Sequence, residues 1–243
     1  MGMLALLLLV GSTIGGLVSL GGLDAPDLDE AQSTDSPDGE EDMNRGADLL
    51  TGTNSEDLLS GGDGGDWILS YDGNDTISGN KGGDVLIGGD GVDVINAGPG
   101  NDFVEAANLV NEALLRTSAT AGGDVLDVVF EYDLPGKSDA GDLVSLGDGE
   151  DTVVAGSDDT ISGGAGADEF ALGDWIDGGR PVEIEDFDVA EDIITFVYDR
   201  QGPEPELTVE ANQTTGVTTI RADGEAIAVL RDASPEFSVK NIA

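Results

Sequence analysis

The sequence contains no cysteine and no histidine among its 243 residues. Without cysteine the chain has no disulfide scaffold and no thiolate metal site. Without histidine it has no HExxH zinc site, no Ser-His-Asp triad and no imidazole base near neutral pH. Positive charge is also scarce, since 9 Lys and Arg face 51 Asp and Glu, for a formal net charge of −42. Such a chain repels nucleic acids and anionic lipid headgroups, and it favours cations as partners.

Aromatic residues are also rare, at 5%, whereas glycine contributes 38 residues. A folded core must therefore be built mainly from aliphatic side chains. A large acid excess is typical of disordered chains, so a fold is expected only if the aliphatic residues recur at regular positions.

The N-terminal 23 residues carry no charged side chain, and residues 3–20 are mostly apolar. This run is long enough to cross a thin hydrocarbon core. Two interpretations stay open: a cleaved signal peptide, although no Lys or Arg precedes the apolar core, or an uncleaved hydrophobic helix that anchors the chain in a membrane. Either one predicts an extracellular location, secreted or at the cell surface. Residues 24–42 are acidic with Pro and Ser, which predicts a disordered linker.

From residue 43 to residue 105 the sequence repeats every nine residues, through seven frames without a gap. Examples are GGDGGDWIL (residues 61–69) and GGDGVDVIN (residues 88–96). The sixth place is Asp and the eighth place is aliphatic in all seven frames, and the fourth place is Gly in six of them. A bias in composition alone would not hold one phase over this length, so the repeat is structural.

The residue types explain the repeat. Each frame combines a six-residue turn, where glycine allows positive φ and close backbone approach, with a three-residue strand whose middle side chain points inward. Two frames make one coil, and coils stack at a spacing of about 4.8 Å. Frames two apart therefore lie over one another, which places Asp66 over Asp84 and Asp75 over Asp93.

Carboxylates stacked at that spacing repel one another, and a hard divalent cation reverses the sign of the interaction. Calcium accepts six to eight oxygen ligands in irregular geometry, whereas magnesium needs a tighter octahedron and transition metals prefer nitrogen or sulfur. The predicted ligands are turn carbonyls and sixth-place aspartates, namely Asp57, Asp66, Asp75, Asp84, Asp93, Asp102, Asp142, Asp151, Asp159 and Asp168.

A second, less regular block follows an insert at residues 106–118 and covers residues 119–171. One frame there, residues 155–162, is one residue short. Another, residues 128–136, has Glu131 and Pro135 where glycine and an aliphatic residue belong, and we expect it not to bind an ion. Residues 172–243 lack the period. Their alternating stretches, with Asp223-Gly224 as a hairpin turn, predict an antiparallel β cap over the end of the solenoid.

The frames resemble the RTX, or hemolysin-type, calcium-binding nonapeptide GGxGxDxUx, which the two quoted frames match at every defined place. The resemblance implies a right-handed parallel β-roll that holds several Ca²⁺ ions in its turns. The expected fold is therefore all-β: a right-handed parallel β-roll (β-solenoid) of nine-residue repeats, with an antiparallel β C-terminal cap and an N-terminal hydrophobic helix.

We expect a calcium-binding, exported or surface-displayed structural or adhesive protein that folds when calcium binds, with dissociation constants of about 10⁻⁴–10⁻³ M per site. Linker, insert and cap are each too short for a catalytic domain, so we expect no enzyme. The alternative is a non-catalytic accessory or remnant of an RTX-type secreted protease, lipase or epimerase. A pore-forming toxin is disfavoured because only residues 3–20 are strongly apolar.

Overall fold

The computed structural model describes residues 16–18, 46, 48–110, 128–130, 140–198, 203–212, 214–231 and 237–242. Apart from one 3₁₀ helix, Val239–Asn241, the regular structure in these ranges is all strand. The strands are β1 (Gly16–Val18), β2 (Leu49–Thr51), β3 (Leu58–Asp63), β4 (Trp67–Leu69), β5 (Thr76–Lys81), β6 (Val85–Ile87), β7 (Val94–Pro99), β8 (Phe103–Glu105), β9 (Val128–Phe130), β10 (Leu143–Asp148), β11 (Thr152–Val154), β12 (Thr160–Ala165), β13 (Glu169–Gly173), β14 (Val182–Ile184), β15 (Ile193–Val197), β16 (Leu207–Asn212), β17 (Val217–Ala222) and β18 (Glu225–Arg231).

Successive frames alternate between two stacked parallel sheets. One frame gives a six-residue strand to the long-strand sheet (β3, β5, β7, β10, β12), which the three-residue β14 continues. The next frame gives a shorter strand to the short-strand sheet (β2, β4, β6, β8, β11, β13, β15). Ile77 pairs with Ile95 in one sheet and Ile68 with Leu86 in the other, so frames two apart are neighbours. This is the predicted β-roll.

The core between the sheets is formed by the eighth-place residues, because the middle side chain of each strand points inward. The two sheets contribute these buried side chains in register: Leu50, Ile68, Leu86, Val104, Val153 and Phe170 from the short strands, and Ile77, Ile95, Val144 and Ile161 from the long strands. One side chain per nine residues thus suffices to bury a continuous apolar column along the roll.

The second block begins later than the sequence predicted. Strand β7 is hydrogen-bonded directly to β10, with Val94 opposite Leu143, and β8 pairs directly with β11. Of the frames at residues 119–136 only Val128–Phe130 is described, as β9, and it pairs with β1 outside both sheets. The expectation that the roll resumes at residue 119 is therefore wrong: it resumes with the frame of Asp142. The frame that contains Glu131 and Pro135 lacks the turn glycine and the inward aliphatic residue that a coil needs.

The shortened frame is confirmed. Leu143 pairs with Thr160, so the two strands are 17 residues apart rather than the 18 seen elsewhere. Asp158, with φ 67°, turns the chain in the left-handed region and allows the shorter connection.

The predicted N-terminal helix is not supported. Of residues 3–20 the structure describes Gly16–Val18, and these form a strand antiparallel to β9. The glycine pair at residues 15 and 16 disfavours a helix at this point. Within the described ranges no helix has the length and apolarity needed to span a membrane. The other residues of the segment, and the linker at residues 24–42, lie outside the described part.

The C-terminal cap is confirmed as antiparallel. Strands β16, β17 and β18 form a meander, and β18 then pairs in parallel with β14 at the end of the long-strand sheet. The meander turns at Gly216, with φ 72°, and at Asp223-Gly224, where both φ values are positive, as a two-residue hairpin requires. The cap places Ile220 and Leu230 in the main core.

The outer faces of the two sheets differ. On the short-strand sheet the outward residues Trp67, Val85 and Phe103 are buried in a second apolar cluster, to which the loop after β8 contributes Leu109 and Val110. On the long-strand sheet the outward residues remain accessible to solvent. This second cluster was not predicted from the sequence.

Candidate metal centre

The predicted ligand residues lie in two parallel rows of turns, one on each edge of the roll. Row A precedes the short strands and contains Asp66, Asp84, Asp102, Asp151 and Asp168. Row B precedes the long strands and contains Asp57, Asp75, Asp93, Asp142 and Asp159. All of these carboxylates are buried except that of Asp57, which is half-buried.

One oxygen of each carboxylate is held by the neighbouring coil. The backbone N–H of Asp66 donates to Oδ1 of Asp84 at 2.7 Å, and that of Asp84 donates to Oδ1 of Asp102 at 2.8 Å. The pattern crosses the junction between the blocks, where the Asp102 N–H donates to Asp151 Oδ1 at 2.8 Å. Row B repeats it, with the Asp75 N–H donating to Asp93 Oδ1 at 2.8 Å. The carboxylates are therefore fixed inside the turns and do not point into bulk solvent.

The second oxygen of four carboxylates in row A lacks a hydrogen-bond donor. Oδ2 is buried and makes no hydrogen bond in the described part of the chain for Asp66, Asp84, Asp102 and Asp151. Burying a carboxylate oxygen without a donor or a counter-charge is costly, and buried polar atoms usually have a partner. These atoms therefore mark positions where a cation would be stabilised.

Glycine keeps the space around these oxygens open. A Cβ atom at Gly61 would collide with Oδ2 of Asp66, and one at Gly79 would collide with Oδ2 of Asp84. At the fourth place, Gly82 has φ +148°, and a Cβ there would collide with the carbonyl oxygen of Gly64 in the next coil. The turn carbonyls thus point along the stacking direction. Their oxygen atoms add possible metal ligands to each row.

Burial raises the pKa of the row A carboxyls. Desolvation is the largest cause, and it raises the pKa of Asp66 and Asp151 to about 6 and that of Asp102 and Asp168 to about 7. Neighbouring carboxylates raise these values further, while the hydrogen bond from the preceding coil lowers them. The pKa of Asp84 is raised for the same main reason. Row A therefore resists carrying negative charge unless a cation compensates it.

Two of the predicted ligands differ from the others. Oδ2 of Asp57 accepts hydrogen bonds from the backbone N–H and the hydroxyl of Thr53, at 2.6 and 2.9 Å. In the shortened frame, Oδ2 of Asp159 accepts a bond from the Gly156 N–H at 2.6 Å. Because both carboxylates already have protein donors on this oxygen, they are less suited to hold an ion.

The structure also adds an aspartate to row A, Asp192, that was not predicted from the sequence. Asp192 accepts the Asp168 N–H on Oδ1 at 3.1 Å and the Asp188 N–H on Oδ2 at 2.7 Å. It thus ends row A, and Ile194 follows it at the inward position, opposite Phe170. The Asp-x-aliphatic spacing was a usable signal, but the frame contains no glycine.

The donor set fits calcium. In the part of the chain that the structure describes, no three acidic side chains converge on one point. An ion in a turn row must therefore combine carboxylate oxygens with turn carbonyls. This all-oxygen set, irregular and without nitrogen or sulfur, suits Ca²⁺ better than Mg²⁺ or a transition metal.

Comparison with known protein families identifies the same nine-residue repeat. The sequence profile of the RTX calcium-binding nonapeptide repeat (4 copies) matches residues 44–77, 69–104, 147–174 and 156–180. No curated protein sequence matches the chain.

Two solved structures also match the chain, both with low TM-scores. One is the extracellular lipase LipA from Serratia marcescens, at 14% identity and a TM-score of 0.26, covering 82% of this chain and 40% of the lipase. The other is the AlgE6R3 subunit of the Azotobacter vinelandii mannuronan C5-epimerase, at 18% identity and a TM-score of 0.27, covering 82% of this chain and 78% of that subunit. The chain thus spans well under half the length of the lipase.

Proposed function

The repeats of this chain belong to the RTX calcium-binding nonapeptide repeats, and on that premise we propose that the protein binds several Ca²⁺ ions in its two turn rows and folds as they bind. The observation that carries the proposal is the column of buried Oδ2 atoms in row A without hydrogen-bond donors. The proposed carboxylate ligands are Asp66, Asp75, Asp84, Asp93, Asp102, Asp142, Asp151 and Asp168.

We assign Asp57 and Asp159 a structural role, because Oδ2 of each already accepts hydrogen bonds from the protein, from Thr53 and from Gly156. The Asp57 N–H donates to Asp75 and the Asp142 N–H donates to Asp159, so both residues still connect adjacent coils. The ion would supply positive charge beside Oδ2. The chain itself supplies the orientation of each carboxylate and, through its turn glycines, the space around it.

Binding of this kind contributes directly to the free energy of folding. An empty row buries negative charge, which favours the unfolded chain, whereas an ion that binds only the folded roll stabilises it by mass action. We expect affinities suited to extracellular calcium, with Kd of about 10⁻⁴–10⁻³ M per site. Calcium then acts as a condition for folding rather than as a catalyst.

The role that fits this chemistry is that of an exported or surface-displayed structural or adhesive protein without catalytic activity. In organisation, residues 1–23 would direct export or anchor the chain, residues 24–42 would be the linker, the roll would comprise residues 43–105 and 142–171, and the cap residues 172–243.

A circular dichroism titration of the full chain tests the proposal. We expect the β signal to rise cooperatively as Ca²⁺ increases through about 10⁻⁴–10⁻³ M, and Mg²⁺ at equal concentration to have little effect. Equilibrium dialysis would count the bound ions. The same β signal in chelator and in saturating Ca²⁺ would contradict calcium-dependent folding.

A further inference from the structure

The open outer face of the long-strand sheet carries two columns of uncharged side chains, which we call the neutral strip. Parallel pairing stacks one column from the seventh places and one from the ninth places of five successive strands. The first column is Leu58, Thr76, Val94, Leu143 and Thr160, and the second is Ser60, Ser78, Asn96, Ser145 and Ser162.

These side chains face solvent. Leu58 is 81% exposed, Leu143 53% and Val94 44%, whereas Trp67, Val85 and Phe103 at equivalent places of the short-strand sheet are buried. Solvent contact by itself does not indicate a partner. The chemistry of the strip is the informative part.

The strip lacks charge although the protein is strongly acidic. None of its ten positions is charged, in a chain in which a quarter of all residues are charged and the net charge is −42. At the C-terminal end it stops at Asp186, which accepts a hydrogen bond from the Ser162 hydroxyl at 2.6 Å. Along one side, Lys81 neutralises Asp63 across the strands at 2.9 Å. A polyanion would be repelled by the rest of the surface, and a polycation would bind the acidic edges in preference to the strip.

The size of the strip argues for a narrow occupant. Five rungs at strand spacing give a length of about 19 Å, and the two columns are about 7 Å apart. The area is on the order of 200–300 Å², well below the roughly 800 Å² per partner of a stable protein interface. The net charge also opposes association of two copies.

We propose that the neutral strip binds an extended neutral polysaccharide that lies along the axis of the roll. The hydroxyl and amide column offers donors and acceptors at the rung spacing, for the hydroxyl groups along one edge of the glycan. The parallel column of Leu, Val and Thr offers methyl groups to the C–H faces of the sugar rings. None of the proposed calcium ligands is part of the strip, so this binding is separate from ion binding, although it needs the folded roll.

Co-sedimentation of the full chain with insoluble cellulose, chitin and β-1,3-glucan in saturating Ca²⁺ tests the proposal, with alginate as an anionic comparison. We expect at least one neutral polymer to retain the protein. The double substitution Ser78→Glu with Ser145→Glu should weaken that retention at least tenfold. A matched double substitution in the exposed cap hairpin, Thr214→Glu with Thr215→Glu, adds the same charge far from the strip and should leave retention within twofold.

Circular dichroism and the number of bound calcium ions should be unchanged in both double variants, which separates loss of the strip from loss of the fold. The proposal is overturned if none of the three neutral polymers retains the wild type, or if both double variants bind equally well. It is also overturned if sedimentation shows a dimer that only the Ser78/Ser145 variant loses, since the strip would then belong to a second copy.

Discussion

The backbone N–H of Asp66 donates to Oδ1 of Asp84, one coil further along, at 2.7 Å. Each aspartate is therefore oriented by the backbone of its neighbour, and its second oxygen is directed into the turn. Because one residue both donates to the next rung and accepts from the previous one, ion binding and coil stacking depend on the same side chains.

Replacement of Asp84 by asparagine should remove calcium. The carbonyl oxygen of the new side-chain amide could still accept the Asp66 N–H, but an NH₂ group would replace the Oδ2 atom that lacks a donor. We expect Asp84→Asn to lower the number of bound ions by at least one and to raise the calcium midpoint of folding by about threefold to tenfold. Equilibrium dialysis and circular dichroism measure the two effects.

The matched substitution is Asp159→Asn. Oδ2 of Asp159 already accepts the Gly156 N–H, so this change should reduce stability without changing the number of bound ions. If both variants lost equal numbers of ions, the distinction between Asp159 and the row A aspartates would be wrong.

Acid should stabilise the calcium-free roll. The pKa values of Asp102 and Asp168 are raised to about 7 and those of Asp66 and Asp151 to about 6, from 3.8. A raised folded-state pKa contributes stability that is complete below the unfolded pKa and is lost as pH rises through the folded value. After exhaustive removal of calcium, the chain should therefore show more β structure and a higher urea midpoint at pH 5 than at pH 8.

Calcium should reverse this dependence, because the ligands must be deprotonated to bind it. In saturating Ca²⁺ we expect the higher urea midpoint at pH 8. A calcium-free midpoint that does not change between pH 5 and pH 8 would show that the buried carboxyls are not protonated in the folded roll.

A methyl group at Gly82 should disrupt the turn. Gly82 has φ +148°, and its Cβ would collide with the Gly64 carbonyl oxygen. We expect Gly82→Ala to lower the free energy of unfolding in saturating Ca²⁺ by more than about 2 kcal/mol. Gly46→Ala is the control, since nothing lies within 4 Å of a Cβ there, and it should change stability by less than about 0.5 kcal/mol. Thermal unfolding of the two variants compares them, and equal melting temperatures would refute the steric argument.

Asp192 should stabilise the C-terminal end without binding calcium. Both of its oxygens accept backbone N–H groups, from Asp168 and Asp188. We expect Asp192→Asn to cost about 1–3 kcal/mol in urea unfolding, as the loss of charge-assisted hydrogen bonds does. The number of bound ions should not change. Glu191→Gln, at the adjacent exposed position, should have little effect, and a loss of ions in Asp192→Asn would assign this residue to the calcium sites instead.

The regular part of the fold could be predicted from the sequence because one period controls it. Asp at the sixth place and an aliphatic residue at the eighth fix both the turn and the inward side of the strand, so the stacking of Asp66 over Asp84 followed directly. The cap was predictable for a local reason as well, since Asp223-Gly224 between alternating strands specifies a hairpin.

The rest depended on contacts between distant segments. The Asp192 rung was missed because its frame has no glycine, and only its pairing with β13 identifies it. The burial of Trp67 depends on an outer apolar cluster that includes the loop after β8. Oδ2 of Asp159 has a hydrogen-bond donor because its frame is one residue short, which brings the Gly156 N–H to that oxygen. Periodicity alone contains none of this information.

The direct pairing of Val94 with Leu143 has a consequence for engineering. The row B bond across this junction, from the Asp93 N–H to Asp142, joins residues 49 apart at the same 2.8 Å as bonds between residues 18 apart. The entropic cost of closing a longer connection grows only slowly with its length. A foreign cassette could therefore replace part of the connection after Val110, while Leu109 and Val110 keep the second apolar cluster covered and the coils on either side keep their register.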